Sequence, residues 1–365
     1  MKKKVMPEWV PDGSGVEFTT SVMPGISLNS SPKKAKRTEI QAFDIETLAQ
    51  GVISGDRVLL SKSITLIESN LQAHIDKAQL LLKHLLPHSG KSVRIGITGP
   101  PGAGKSTFIE TLGTYLSRNG SKVAVLAIDP SSTISKGAIL GDKTRMEELS
   151  NQENAFIRPS PSGGTLGGVA RKTKESIIAC EAAGFDVILI ETIGVGQSEI
   201  TVRSMVDCFL LLLLPGSGDE LQGIKKGVVE LADILVINKA EGKYLERAKL
   251  TQSAYQNATQ LLTPATEGWK PKVFTCSALN KTGVSEVWTA VNEFLINVKS
   301  SGIFESRRKK QVIDWIYAMI EEDIKNRFYN NKIITELRPE IEKNVLAGII
   351  TPTQAVAELL KNYQL

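Results

Sequence analysis

Short apolar runs alternate with longer amphipathic stretches through the middle of this 365-residue chain, and the two spacings set the elements it can form. Val93–Thr98, Val123–Ile128, Val187–Ile190, Phe209–Leu214, Ile234–Ile237 and Val273–Cys276 are rich in leucine or β-branched residues and read as strands. Longer segments, several with helical periodicity, lie between them. Near-continuous apolar strands alternating with helices predict an α/β fold, with a mostly parallel sheet covered by helices on both faces. Ligands of such sheets bind at the carboxyl ends of the strands. Polar residues directly after each run are therefore the first candidates for chemistry.

Outside this block the spacing is helical or absent. Residues 1–40 mix Pro, Gly, Ser and Lys without periodicity and read as a flexible leader. In 41–90, Asp56 is placed to cap a helix with apolar positions Val58, Leu59, Ile64 and Leu66. A second helix runs from Leu71 through Ile75, Leu80, Leu81 and Leu85, and ends at Pro87 and Gly90. The central domain spans 91–300, and 301–365 form a C-terminal helical extension. There Val312, Ile316, Ile320, Ile324 and Phe328 recur every fourth residue, with Ile313 and Tyr317 alongside and charges on the other faces. This stripe needs a partner, either a second copy or the chain's own N-terminal helices, and packing within the chain is the default expectation.

Composition narrows the function classes. The net charge of +5 comes from 44 basic against 39 acidic residues and is spread along the chain, so nucleic acid is not an expected partner. No apolar run approaches the length of a membrane span. The opening MKKKVMPEWVPDG lacks the apolar core of a secretory signal, and a cytoplasmic location is expected. Cys180, Cys208 and Cys276 are far apart and read as buried, reduced thiols. The three histidines all precede the motifs below, which argues against a histidine-based metal site.

The segment VRIGITGPPGAGKST places Gly99, Pro100, Pro101, Gly102, Ala103, Gly104, Lys105 and Ser106, followed by Thr107, between a strand and a helix. The spacing is that of a P-loop. Its glycines let backbone N–H groups turn around phosphate oxygens, and the helix N-terminus adds its positive end. Lys105 can reach the β- and γ-phosphates, and the Ser106 hydroxyl can join an Mg²⁺ shell.

Three acids lie at the same side of the predicted sheet. Asp129 ends VAVLAID, Glu191 ends DVILIE, and Asp142 follows in GAILGD. A carboxylate at a strand end facing a P-loop can hold Mg²⁺, and Gly194, three residues after Glu191, can point its N–H at a γ-phosphate. Taken singly, each acid is better explained as a solvated turn residue or helix cap, and it is their shared place on the ligand side of a P-loop domain that favours the functional reading. The residue after Gly194 is Val195, where Ras-like enzymes use a glutamine to orient water, so slow intrinsic hydrolysis is expected.

The stretch ILVINKAEGK carries Asn238, Lys239 and Glu241 at the end of another strand, nearly the guanine-reading pattern Asn-Lys-x-Asp. One carboxylate can accept both N1–H and N2–H₂ of guanine, whereas it would repel the N1 lone pair of adenine. Glu241 keeps the carboxylate on a longer stem. Asn238 would support the loop and contact the base edge, and the Lys239 stem would cover the base face. The last strand leads into Ser277, Ala278 and Leu279, where backbone N–H groups could meet the guanine oxygen.

With these residues in view the chain resembles the MeaB/ArgK family of P-loop GTPases. The strings GPPGAGKST, DPSS, ILGDKTRM, IRPSPSGGTLGG, CEAAGFDVILIETIGVGQSE and LLLLPGSGDELQGIKKGVVELADILVINKAE carry the likeness across roughly residues 45–330. The resemblance implies a chaperone of a cobalamin-dependent methylmalonyl-CoA mutase, binding GTP or GDP with Mg²⁺ and gating adenosylcobalamin loading. It implies roles in Mg²⁺ binding and hydrolysis for Lys105, Asp129, Asp142 and Glu191. It also implies a homodimer and a mutase-responsive switch over 218–227, with Gln222 and Lys225 as candidate contacts. The family usually has Asp at the position of Glu241. Two other functions compete. An ATP-driven component of amino-acid transport is disfavoured by the guanine-like loop and by the missing Leu-Ser-Gly-Gly-Gln signature. A small-molecule kinase is disfavoured because no acceptor pocket can be read from the sequence.

Overall fold

A computed structural model describes residues 44–128, 146–159, 166–192, 198–217 and 226–363. Among these residues seven parallel strands form one sheet in the order β3-β2-β4-β1-β5-β6-β7. They are β1 (Val93–Thr98), β2 (Val123–Ile128), β3 (Ala155–Pro159), β4 (Val187–Thr192), β5 (Cys208–Leu213), β6 (Ile234–Ile237) and β7 (Lys272–Thr275). Every residue of β5 and β6 is buried, as strands covered on both faces must be. The α/β class and the strands expected from apolar runs are as read, with ends moved by one or two residues. β3 is the exception. Its five residues AFIRP carry Arg158 and Pro159, which suit an edge strand pairing on one side only and leave too weak an apolar run to detect.

Alternation in the strands assigns the helices to the two faces. Ile95 and Ile97 of β1 point into a core with α4 (Lys105–Arg118) and α10 (Val284–Ser300), through Phe108, Leu112, Val291 and Phe294. Leu211, Leu213, Leu235 and Ile237 point the other way, against α8 (Lys226–Leu231) and α9 (Leu245–Leu261). The remaining described helices of the central block are α5 (Glu147–Ser150), α6 (Leu166–Ala182) and α7 (Ser198–Arg203).

The N-terminal helices are α1 (Ile45–Ile53), α2 (Arg57–Glu68) and α3 (Gln72–Leu85). Asp56 caps α2 as expected, accepting from the Val58 and Leu59 amides at 2.8 and 2.9 Å. The buried face of α2 is Leu60, Ser63, Ile64 and Ile67, so the expected apolar positions Val58 and Leu66 lie off its centre.

The C-terminal extension consists of α11 (Ile303–Asn330), α12 (Lys332–Leu346) and α13 (Pro352–Asn362). Here packing within the chain holds only at the far end of the stripe, where the Phe328 ring meets Tyr363 at 5.2 Å between centroids, and fails for the rest. No residue of α11 is buried, and Val312, Ile316, Ile320 and Ile324 are all exposed. The physical reason is that α11 lies on the body by another face, that of Arg308, Gln311, Trp315 and Glu322, which turns the stripe outward. Arg308 donates to both oxygens of buried Asp207, just before β5, and to Gly90 O and Ser92 O. Gln311 donates to Val206 O at 2.8 Å. Among the described residues no helix is long and apolar enough to cross a membrane.

Candidate functional site

β1 ends at Thr98, and Gly99–Ser106 turns the chain into α4 within a space that excludes ordinary side chains. Gly99 has φ +155°, and a Cβ there would sit 2.3 Å from Leu212 O of the neighbouring strand. Gly104 has φ +84°, and its Cβ would sit 2.7 Å from Asn238 Nδ2. Conformation and close approach together demand glycine at both places. Lys105, 9% exposed, donates its ammonium to Gly99 O at 2.9 Å and Pro100 O at 3.3 Å, bracing the loop. Ala103 is buried, whereas Pro101, Gly102 and Thr107 lie at the exposed rim. The loop and the first turn of α4 therefore form a concave set of backbone donors at a helix N-terminus, suited to phosphate.

Two contacts tie this loop to the end of β4. Ser106 Oγ donates to Glu191 Oε1 at 2.8 Å, and Thr192 Oγ1 donates to Thr98 Oγ1 at 2.8 Å. The Ser106 hydroxyl and Glu191 carboxylate are hard oxygen donors side by side. They fit a Mg²⁺ ion, which binds through one or two protein oxygens with phosphate and water completing its shell. Asp129, Asp142, Gly194 and the switch candidates Gln222 and Lys225 lie outside the described residues.

The base-side loops converge on one side chain. Asn238, 2% exposed, donates Nδ2 to Ala103 O at 2.8 Å. Its Oδ1 accepts from Ala278 N at 3.0 Å and from Cys276 Sγ at 3.4 Å. Asn238 thus pins the P-loop, its own loop and the loop after β7 together. The Ala278 N–H, one of those expected to face a guanine oxygen, is engaged in this knot. Ser277 is buried and pairs with Thr282, and Leu279 is 72% exposed. Thr111 of α4 donates to Ala278 O at 2.9 Å, a further brace that no motif announces. Lys239 takes φ +62°, an uncommon left-handed conformation for a lysine, which turns the chain between Asn238 and Glu241.

Glu241 Oε2 is buried and has no hydrogen-bond partner among the described residues. A desolvated acceptor without a donor is costly, and the paired N–H groups of a guanine edge would supply what it lacks. Burial, and after it the Glu241 charge, pushes the nearby Cys276 thiol up to about 12, so this cysteine stays neutral. Glu241→Asp should tighten GDP binding, or widen the GDP-over-ADP ratio, by up to about tenfold, one hydrogen bond's net worth. Titration of both nucleotides against the two proteins reads this directly, and unchanged values would mean that the loop accommodates glutamate fully.

One buried group gives no sign of itself in the sequence. Glu199 of α7, 1% exposed, lines a small cavity behind the P-loop with Thr98, Gly99, Ser217 and Tyr255. Nothing in QSEI distinguishes it from a solvated acid at a helix start.

Both the sequence and the fold have relatives among known proteins. The profile of the family described as "Methylmalonyl Co-A mutase-associated GTPase MeaB" matches residues 60–333. A putative GTPase of Caulobacter vibrioides is 50% identical over 328 residues, 89% of this chain and all of that protein. The mitochondrial methylmalonic aciduria type A homolog of Mus musculus is 45% identical over 330 residues, 88% of this chain and 80% of that protein. Among solved structures, one described as a LAO/AO transport system kinase superposes with a TM-score of 0.70. It is 35% identical, and the match covers 87% of this chain and 96% of that one.

Proposed function

The chain belongs to the MeaB family of methylmalonyl-CoA mutase-associated GTPases, and from that membership we propose that it is a chaperone of a cobalamin-dependent acyl-CoA mutase. It hydrolyses GTP, and in this reading hydrolysis gates the loading of adenosylcobalamin and protects or reactivates the mutase. The observation that carries the reading is the family match from residue 60 to 333, which takes in the P-loop, both base-side loops and the whole of α11.

The chain's own groups divide the work as follows. The amides of Gly99–Ser106 bind and orient the phosphates, and Lys105 offsets their charge. Ser106 and Glu191 would hold Mg²⁺ together with Asp129 and Asp142. When bound, the ion neutralises charge on the β- and γ-phosphate oxygens. Gly194 donates its N–H to the γ-phosphate and reports its loss to the switch at 218–227. Glu241 accepts from the guanine edge, the Lys239 stem covers the base, and Asn238 holds the loops in register.

With Val195 where a water-orienting glutamine would stand, the protein alone should turn over GTP well below the ~10 s⁻¹ typical of enzymes. A phosphate-release assay without partner measures this, and a rate at or above that level would remove the case for a partner-stimulated switch. The exposed stripe of Val312, Ile316, Ile320 and Ile324 supports assembly as a homodimer through α11. The three buried, unpaired cysteines suit a reducing compartment, and we place the protein in the cytoplasm.

The decisive experiment is affinity capture from the native cell with GDP and with a non-hydrolysable GTP analogue. Recovery of a cobalamin-dependent mutase, in an amount that differs between the two nucleotides, is expected. Absence of any such mutase in both would reject the chaperone reading. The likeness to a protein described as a transport system kinase favours a second reading, an ATP-driven component of amino-acid transport. The unsatisfied Glu241 carboxylate speaks for guanine and against it, and tighter binding of ADP than of GDP would reverse that preference.

A further inference from the structure

A large cavity outside the nucleotide site lies at the other end of the sheet. It measures about 1070 Å³ and is bounded by α3, the start of β1, α6, Ser204–Met205 and the root of α11. β1 separates it from the P-loop by its own length, roughly 17 Å for six strand residues. The cavity is of the size that takes a small organic ligand.

Its chemistry is two-sided. Leu82, Ile177, Ile178, Met205, Val312 and Trp315 supply an apolar wall. Lys83, Lys174 and Lys309 add three ammonium groups, none in an ion pair with a described residue. The arginines of the lining differ in this respect, because Arg94 is paired with Glu181 and Arg308 with Asp207. The one carboxylate in the lining, Glu175, is engaged by Gln79 and Arg171. Lys174 lies over the Trp315 ring, 5.4 Å from its centroid. Desolvation pushes the Lys174 ammonium down to about 8, with Asp314 acting against that shift only from beyond ion-pair distance. Two buried polar atoms of the same wall, Trp315 Nε1 and Gln311 Oε1, have no hydrogen-bond partner among the described residues. A half-desolvated ammonium at Lys174, with the exposed Lys83 and Lys309 at the rim and an apolar wall beside it, is complementary to one kind of occupant: a small amphipathic anion.

We propose that this cavity is a second ligand site, which takes a small molecule with an anionic head, carboxylate or phosphate, and an apolar tail. The head sits among Lys83, Lys174 and Lys309, and the tail lies against Ile178, Met205 and Trp315. The site stands apart from the nucleotide reading and from the mutase partner. It has a route to the nucleotide site nonetheless. Ser204 and Met205 in its wall directly follow α7, the helix that begins four residues after Gly194 in the sequence.

The test uses the full chain loaded with GDP, titrated by calorimetry with octanoate, octyl phosphate, octanol and octyltrimethylammonium. At least one anion should bind with one site per chain, at least tenfold more tightly than octanol or the cation. The preferred head group then tells a carboxylate ligand from a phosphate one. Lys174→Glu should weaken the anion at least tenfold with GDP affinity unchanged. Ile178→Trp, which crowds the wall where the tail lies, should weaken binding at least tenfold with the melting temperature kept within a few degrees. Equal binding of octanol and octanoate, or undiminished anion binding in both variants, would overturn the proposal. So would anion binding that emerges only on dilution to monomers, because a second copy would then be the natural cover. Failure of all four probes to bind at millimolar concentration would also overturn it.

Discussion

Lys105→Ala is expected to lower GTP turnover by about 100- to 1,000-fold, the usual cost of removing one preorganised charged donor from a transition state. The buried ammonium is already organised by Gly99 O and Pro100 O, so little reorientation is needed when charge develops on a transferred phosphoryl group. The same two bonds brace the loop, and some loss of nucleotide affinity should accompany the loss of rate. Single-turnover hydrolysis at saturating GTP separates the two effects. Lys105→Arg should rescue little, since a planar guanidinium is too large for a position that is 9% exposed among backbone carbonyls. Turnover within a few-fold of the parent protein would remove Lys105 from the catalytic set.

Asp207→Ala is expected to destabilise the fold by about 3–5 kcal/mol, the range for breaking one side of a buried ion pair. Asp207 is 1% exposed, accepts two bonds from Arg308 and a third from the Arg94 amide at 2.8 Å. Its removal strands a cation whose side chain is only 15% exposed and orphans a strand amide. The double variant Asp207→Leu, Arg308→Met should recover part of the loss, because two apolar groups leave no buried charge behind. Recovery will be incomplete, since Gly90 O and Ser92 O lose their donor as well. Urea denaturation of the three proteins reads the values, and a single-variant loss under about 1 kcal/mol would mean that Arg308 finds another partner. The outcome bears on how α11 is mounted and is independent of the nucleotide site.

How far the molecule could be read in advance depended on what made each part. Apolar runs such as ILVI and CFLLLL need burial on both sides, so β5 and β6 announced themselves, while β3, half-covered and carrying Arg158 and Pro159, did not. The P-loop was legible because its backbone leaves few choices: Gly99 and Gly104 have no room for a Cβ. Asn238 was recognisable by its place after a strand, yet its contact with Ala103 links residues 135 apart and follows only from the folded sheet. Glu199 gave no signal, because a buried carboxylate looks like any surface acid until its surroundings are known. The Val312–Phe328 periodicity was plain, but periodicity states only that a face is apolar and is silent about what covers it.

The mounting of α11 has a mechanical consequence. Its 28 residues make a rod about 42 Å long, gripped near one end by Arg307, Arg308 and Gln311. A tilt of roughly ten degrees at that grip would carry the far end, about 30 Å away, through about 5 Å. The grip closes on the residues leading into β5, and the opposite end of β5 runs on toward the stretch at 218–225. A tilt there would therefore reach the far end as a displacement the size of a side chain, and the root that would set it is bonded to the residues just before a strand of the nucleotide-binding sheet.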